Sequence, residues 1–270
     1  MNNFTYSVPT KIHFGKGQIS HLYELSESGN KVLLCYGGGS IKKAGIYDEA
    51  VKILKEEDIE IFELSGIAPN PKIESVREGV KLCKENDIDM VLAIGGGSVI
   101  DCAKVVAAGA CYDGDPWDLV ITPRWIKKAL PIYSVLTLSA TGSEMDPFAV
   151  ISDMSKNEKW GTASEHMKPK MSILDPEYTY SVSKKQTAAG TADMISHICE
   201  NYFTNVKNAD VQARFAEGLL KNCFKYGPIA LEEPDNYDAR ANLMWTASMA
   251  INGILSDGAE VSWCVHPMEH

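Results

Sequence analysis

The chain has 270 residues, 45% apolar and 23% charged, with a formal net charge of −10. That acidity argues against binding nucleic acid through a general phosphate field, and no apolar run is long enough to cross a bilayer, so neither nucleic acid nor membrane is an expected partner. The opening MNNFTYSVPTKIHFG lacks a basic stretch followed by an apolar core, so it does not read as a secretory signal, and the expected location is cytoplasmic. The seven cysteines are scattered without a C-x-x-C pair and sit mostly in apolar contexts; buried structural thiols are expected for nearly all of them.

In chain order, FTYSVPTKIHFGKG alternates polar and apolar residues and predicts an extended pair or edge hairpin. KVLLCY (31–36), EIFEL (60–64), DMVLAIG (89–95), PIYSVLTL (131–138) and SILD (172–175) are short, rich in Val, Ile and Leu, and predict buried strands. Helical patterns lie between them: AGIYDEAVKILKEED with Ile46, Ala50, Ile53 and Leu54 on one face, IESVREGVKLCKEND with Ile73, Val76, Val80 and Leu82, and SVIDCAKVVAAGACY. Such alternation predicts a Rossmann-like α/β domain with a parallel sheet, spanning residues 1–178. After about residue 178 the strand signals stop. SKKQTAAGTADMISHICENYFTN, NADVQARFAEGLLKNCFKYGPIA and DNYDARANLMWTASMAINGILSDG predict an all-α domain over 179–270, with breaks at the Gly-Pro of KYGPIA and at EEPDNYD.

GGGS occurs twice, at 37–40 and 95–98, each directly after a predicted strand. Glycines allow a sharp turn and a close ligand approach, and a following helix start adds unpaired N–H donors. Gly37, Gly38, Gly39 and Ser40 form one candidate phosphate loop, and Gly96, Gly97 and Ser98 another. Asp101, in the first turn, would repel a phosphate and is expected to stabilise the helix start or hold a ribose hydroxyl. TLSATGSE adds a third polar turn, with Thr137 and Ser139 as candidates. The spacing is not G-x-G-x-x-G, so the ordinary dinucleotide fingerprint is absent. The first loop offers no carboxylate for a free 2′-hydroxyl and instead presents Ser40, Lys42 and Lys43, which favours NADP(H) over NAD(H).

Asp193 and His197 are four apart in GTADMISHICEN, so on a helix both side chains share one face. Spacing alone leaves an ordinary polar contact open, and Glu200 is a competing candidate ligand. His266 and His270 in SWCVHPMEH repeat the interval. Mixed imidazole and carboxylate ligation suits Zn, Fe(II), Mn, Co or Ni.

These segments, with GIAPNPKIESVREG, LDPEYTYSVS and RFAEGLL, resemble the iron-containing (group III) alcohol dehydrogenase family, specifically its NADPH-dependent butanol dehydrogenase and aldehyde reductase branch. The resemblance covers essentially the whole chain. It implies a dehydroquinate synthase-like architecture, with an N-terminal cofactor domain, a C-terminal helical domain and a metal in the cleft between them. By motif, Asp193, His197 and His266 fall on metal-ligand positions and His270 on an active-site histidine. Lys159 matches a lysine near the nicotinamide ribose, Asn70 a cofactor-lining turn, and Gly37 a position that is acidic in NAD-preferring relatives. The implied metal is Fe(II), with Zn or Mn as alternatives, and the implied substrate is a small alcohol or aldehyde; a homodimer is the assembly in view. The family's fourth ligand, a histidine beyond His266, does not occur before the chain stops at His270, so the chain reads as C-terminally truncated. Two rival expectations remain: an NAD- and metal-dependent polyol or polyol-phosphate dehydrogenase, hinted at by His166, Lys168 and Lys170, and an inactive nucleotide-binding fragment.

Overall fold

A computed structural model describes residues 1–261 and 263–266. The chain folds as two compact units. One comprises 9–137 and 147–178; the other comprises 1–8, 138–146 and 179–270.

The first unit contains β1 (Lys11–Phe14), the 3-10 helix Gln18–Ser28, β2 (Lys31–Tyr36), α1 (Ser40–Lys43), α2 (Ile46–Glu56), β3 (Glu60–Leu64), α3 (Ile73–Asn86), β4 (Met90–Gly95), α4 (Gly97–Ala110), α5 (Pro116–Ile121), β5 (Ile132–Leu136), β6 (Phe148–Asp153), β7 (Glu158–Ala163) and β8 (Met171–Leu174). Six of these strands form one sheet in the order β1-β8-β5-β4-β2-β3, and every pairing is parallel. The continuous apolar runs have a direct cause, because β4, β5 and β8 are buried along their whole length and β2 along all but its first residue. On one face Val32, Leu34, Met90, Leu92, Val135 and Ile173 pack with Ile19, Leu22 and Leu25 of the 3-10 helix and with Ile46, Ala50 and Leu54 of α2. The opening segment does not form a hairpin. Its single strand β1 pairs in parallel with β8, some 160 residues later in the chain. The separate hairpin β6–β7 has no counterpart among the predicted strands. On α3 the buried stripe is Ile73, Val76, Gly79, Val80 and Cys83, with Leu82 only half buried. Of the cysteines, Cys35, Cys83, Cys102 and Cys223 are buried, Cys199 is intermediate, and Cys111 and Cys264 are exposed.

The second unit contains α6 (Lys184–Tyr202), α7 (Asp210–Glu232) and α8 (Tyr237–Ile251). Ser183 caps α6 by accepting from the Gln186 amide at 3.2 Å, and Asn236 caps α8 by accepting from Ala239 at 3.0 Å. The core between the helices is built from Met194, Ile198, Leu243 and Leu255 with Ala216, Ala230, Ala239, Ala247 and Ala250, small residues that permit close approach. The Gly-Pro expected to break a helix does not: α7 runs through Pro228 to Glu232. A proline forfeits one helical hydrogen bond at a cost of about 3 kcal/mol, and packing along a 23-residue helix outweighs it here. Among the described residues no helix is long and apolar enough to cross a membrane.

Residues 138–146 lie against α8. Gly142 has φ +71°, and a Cβ there would sit 2.8 Å from the Ala247 carbonyl oxygen. Left-handed backbone costs a non-glycine residue about 1–3 kcal/mol, before any clash. Gly142→Ala is therefore expected to lower stability by at least about 1 kcal/mol in urea unfolding; an unchanged midpoint would contradict this packing.

Candidate metal centre and cofactor loops

In the helical unit, Asp193 and His197 stand one turn apart on α6, and His266 reaches them from beyond α8. One donor atom of each lies within 4.8 Å of the others. Asp193 Oδ1 is 3.7 Å from His197 Nε2 and 3.6 Å from His266 Nε2. The two imidazoles stack with centroids 4.5 Å apart and planes 8° from parallel, and Trp263 meets both edge-on. Tetrahedral coordination at about 2.0–2.2 Å places ligand atoms about 3.3 Å apart. The donors are thus slightly wider than ligand spacing, and two imidazoles with one carboxylate suit a divalent transition metal. The residues present fit such an ion.

Glu200, weighed as a rival ligand, has a different position. It is buried, and its carboxylate accepts the amides of Cys264, Val265 and His266 at 3.0, 2.8 and 3.0 Å and lies 3.0 Å from His266 Nδ1. Burial pushes its pKa up, but the His266 side chain and these amides outweigh that, and the net shift is downward. A carboxylate at Nδ1 accepts that nitrogen's N–H, which holds the proton on Nδ1 and leaves Nε2 as the lone-pair donor facing Asp193. Sequence spacing gave no sign of this role, because the partners lie 64–66 residues away. Asn201 adds a tie between helices, donating to the carbonyls of His197 and Ala250. His270 lies outside the described residues.

In the sheet unit, β2 and β4 are neighbours, so the two GGGS loops leave adjacent strand ends. A Cβ at Gly38 would meet nothing within 4 Å, whereas one at Gly37 would meet the Ile67 carbonyl oxygen at 3.2 Å. Packing therefore does not require glycine at position 38, and the open space suits a close ligand. Gly39, at φ +99°, precedes Ser40 and α1. Gly96 precedes α4, whose first turn holds Gly97 and Ser98. Ser98 Oγ accepts the Asn70 amide at 3.3 Å, which ties the PNP turn to the second loop. Asp101 accepts the Val150 amide at 3.0 Å and so fixes β6. Lys159 on β7 pairs in register with Ser152, which bridges to Lys72 beside that same turn. Thr137 closes the end of β5 by donating to Gly95 at 3.0 Å. Ser139 belongs to the helical unit, in a small cleft with Thr187, Thr191 and the buried Arg240, and its buried Oγ has no hydrogen-bond partner.

Lys42 lies over the rings of Tyr36 and Tyr47 and 3.8 Å from Glu63. Of His166, Lys168 and Lys170, which hinted at a phosphorylated substrate, both lysines are engaged locally: Lys168 with Glu165 at 2.8 Å, and Lys170 with Ser28 at 2.9 Å.

Residues 9–176 match the family model for iron-containing alcohol dehydrogenase, and residues 187–270 match the C-terminal model of the same family. NADH-dependent butanol dehydrogenase A of Clostridium acetobutylicum is 58% identical over 271 residues, covering 100% of this chain and 70% of that protein. NADPH-dependent aldehyde reductase YqhD of Escherichia coli is 44% identical over 273 residues, with the same two coverages. The crystal structure of NADH-dependent butanol dehydrogenase A from Thermotoga maritima superposes with a TM-score of 0.97 at 46% identity, covering 100% of this chain and 68% of that one. The parallel sheet with its helices and the following helical unit are the architecture of these relatives, and the chain belongs to the iron-containing alcohol dehydrogenase family of oxidoreductases.

Proposed function

We propose that the chain transfers a hydride reversibly between NADP(H) and a primary alcohol or aldehyde, short linear substrates such as butanol and butanal being favoured, with a divalent ion, Fe(II) before Zn or Mn, held by Asp193, His197 and His266. The observation that carries this reading is the stacked His197–His266 pair facing one carboxylate. When bound, such an ion supplies Lewis acidity toward the substrate oxygen, and the nicotinamide supplies or accepts the hydride. The protein's part is positional. Glu200 fixes the tautomer and direction of His266, α6 holds Asp193 and His197 on one face, and burial keeps His197 from competing water.

For the cofactor, the first loop, the open face at Gly38, and the start of α4 offer backbone donors to a pyrophosphate. Names among the relatives point both ways, NADH for the Clostridium enzyme and NADPH for the Escherichia one. The chain's own loop therefore carries the choice. Position 37 has no carboxylate, and Ser40 and Lys43 remain for a 2′-phosphate while Lys42 is held against Tyr36 and Tyr47.

Following NADPH oxidation with butanal before and after chelation tests the metal role; turnover is expected to collapse and to return with Fe(II), and unchanged turnover would refute it. Glu200→Gln is expected to weaken metal affinity about 10–100-fold with the fold intact by circular dichroism; wild-type affinity would remove Glu200 from its positioning role. Hydrogen bonds to charged groups are worth about 1.5–3 kcal/mol, so kcat/KM is expected to favour NADPH over NADH by about tenfold or more, and Gly37→Asp is expected to reverse the order. A preference for NADH in the unaltered chain would overturn the cofactor assignment.

A further inference from the structure

A second cluster of metal-ligating side chains lies in the sheet unit. His13 is on β1, and His21 and Glu24 are on the 3-10 helix Gln18–Ser28. One donor atom of each lies within 4.8 Å of the others. Both imidazoles close on a single oxygen: Glu24 Oε1 is 2.9 Å from His13 Nε2 and 3.1 Å from His21 Nδ1. The rings stack with centroids 3.6 Å apart and planes 10° from parallel. For all its proximity to Glu24, the buried His13 Nε2 makes no well-directed hydrogen bond. Donor separations of 2.9 and 3.1 Å are close to the roughly 3.3 Å edge of a tetrahedral site.

The composition matches that of the helical unit's centre, with two parallel imidazoles and one carboxylate. Lys11 Nζ takes the other oxygen, Oε2, at 2.6 Å and leaves Oε1 to the histidines; the Lys11 side chain is 58% exposed and can carry its charge into water.

We propose that His13, His21 and Glu24 form a second divalent-metal site, of the class that takes Zn²⁺ or another late first-row ion with water completing the shell, and that occupancy clamps edge strand β1 to the 3-10 helix. β1 has a strand partner on one side only, so a cross-link there acts where the sheet is least held.

The test is a Zn²⁺ titration of the full chain by calorimetry, with thermal melts alongside. In an Asp193→Asn/His197→Ala background, which removes the donors of the first centre, one Zn²⁺ per chain is expected to remain bound and to raise the melting temperature. Adding His21→Ala to that background is expected to weaken this binding at least tenfold and abolish the thermal shift. Because His13 is half-buried, His13→Gln serves as the second variant and is expected to give the same loss. No binding in the double-variant background overturns the proposal, as does binding that neither histidine substitution changes. Because the background lacks the helical unit's ligands, the result is independent of whether that centre binds metal.

Discussion

The helical unit turns on one buried carboxylate. Glu200 is nearly inaccessible, and a carboxylate taken out of water costs several kcal/mol unless its lone pairs are filled. Here three successive amides and an imidazole nitrogen fill them. Those donors all come from residues 264–266, so satisfying the charge fixes the segment after α8 on α6. It also fixes the direction of His266, whose Nε2 is the only ring nitrogen left to meet Asp193 and His197. The same interaction thus anchors a chain segment and assembles a donor set, and losing the carboxylate would release both. Trp263 accepts φ +45°, an uncommon conformation for a bulky residue, within the segment this clamp holds.

The sheet unit reaches its site by a different constraint. In an open parallel sheet, loops at the carboxyl ends of strands gather on one edge. Because β2 and β4 pair directly, two glycine loops 58 residues apart in the sequence become neighbours. The Asn70–Ser98 bond then draws in the turn after β3, and the Lys72–Ser152 bridge draws in the β6–β7 hairpin with Lys159. Asp101 contributes by holding Val150. A carboxylate in the first turn of a phosphate-facing helix looks misplaced until this bond is seen. Its charge is spent on the backbone of β6.

Four strands, β2, β4, β5 and β8, were legible in the sequence because strands buried on both faces read as uninterrupted apolar runs; β3 was expected to be buried too, but it is the sheet edge and only Leu64 is fully buried. β6 and β7 were not legible, since FAVISD and EKWGTA are partly exposed and carry charges that break the pattern. β1 read as a hairpin because its alternation is local, whereas its true partner β8 is set by topology. Pro228 read as a stop because a proline penalty is local and the packing that offsets it is not. Among the site residues, spacing could place Asp193 beside His197 but could not bring in His266, which came only from the family resemblance. Nor could spacing separate Glu200 the orienter from Glu200 the ligand. That distinction rests on three amides a whole helix away.

The two histidine clusters differ chiefly in what stands behind the donors. At Asp193, His197 and His266, the outer partner is a carboxylate, Glu200, which would raise the basicity of the His266 imidazole toward an ion. At His13, His21 and Glu24, the outer partner is an ammonium, Lys11, which draws on the ligating carboxylate instead. An incoming dication is attracted by the first arrangement and partly opposed by the second until Lys11 swings into solvent. Similar donor sets should therefore be graded in affinity, the helical centre binding more tightly and the β1 cluster filling at higher free metal.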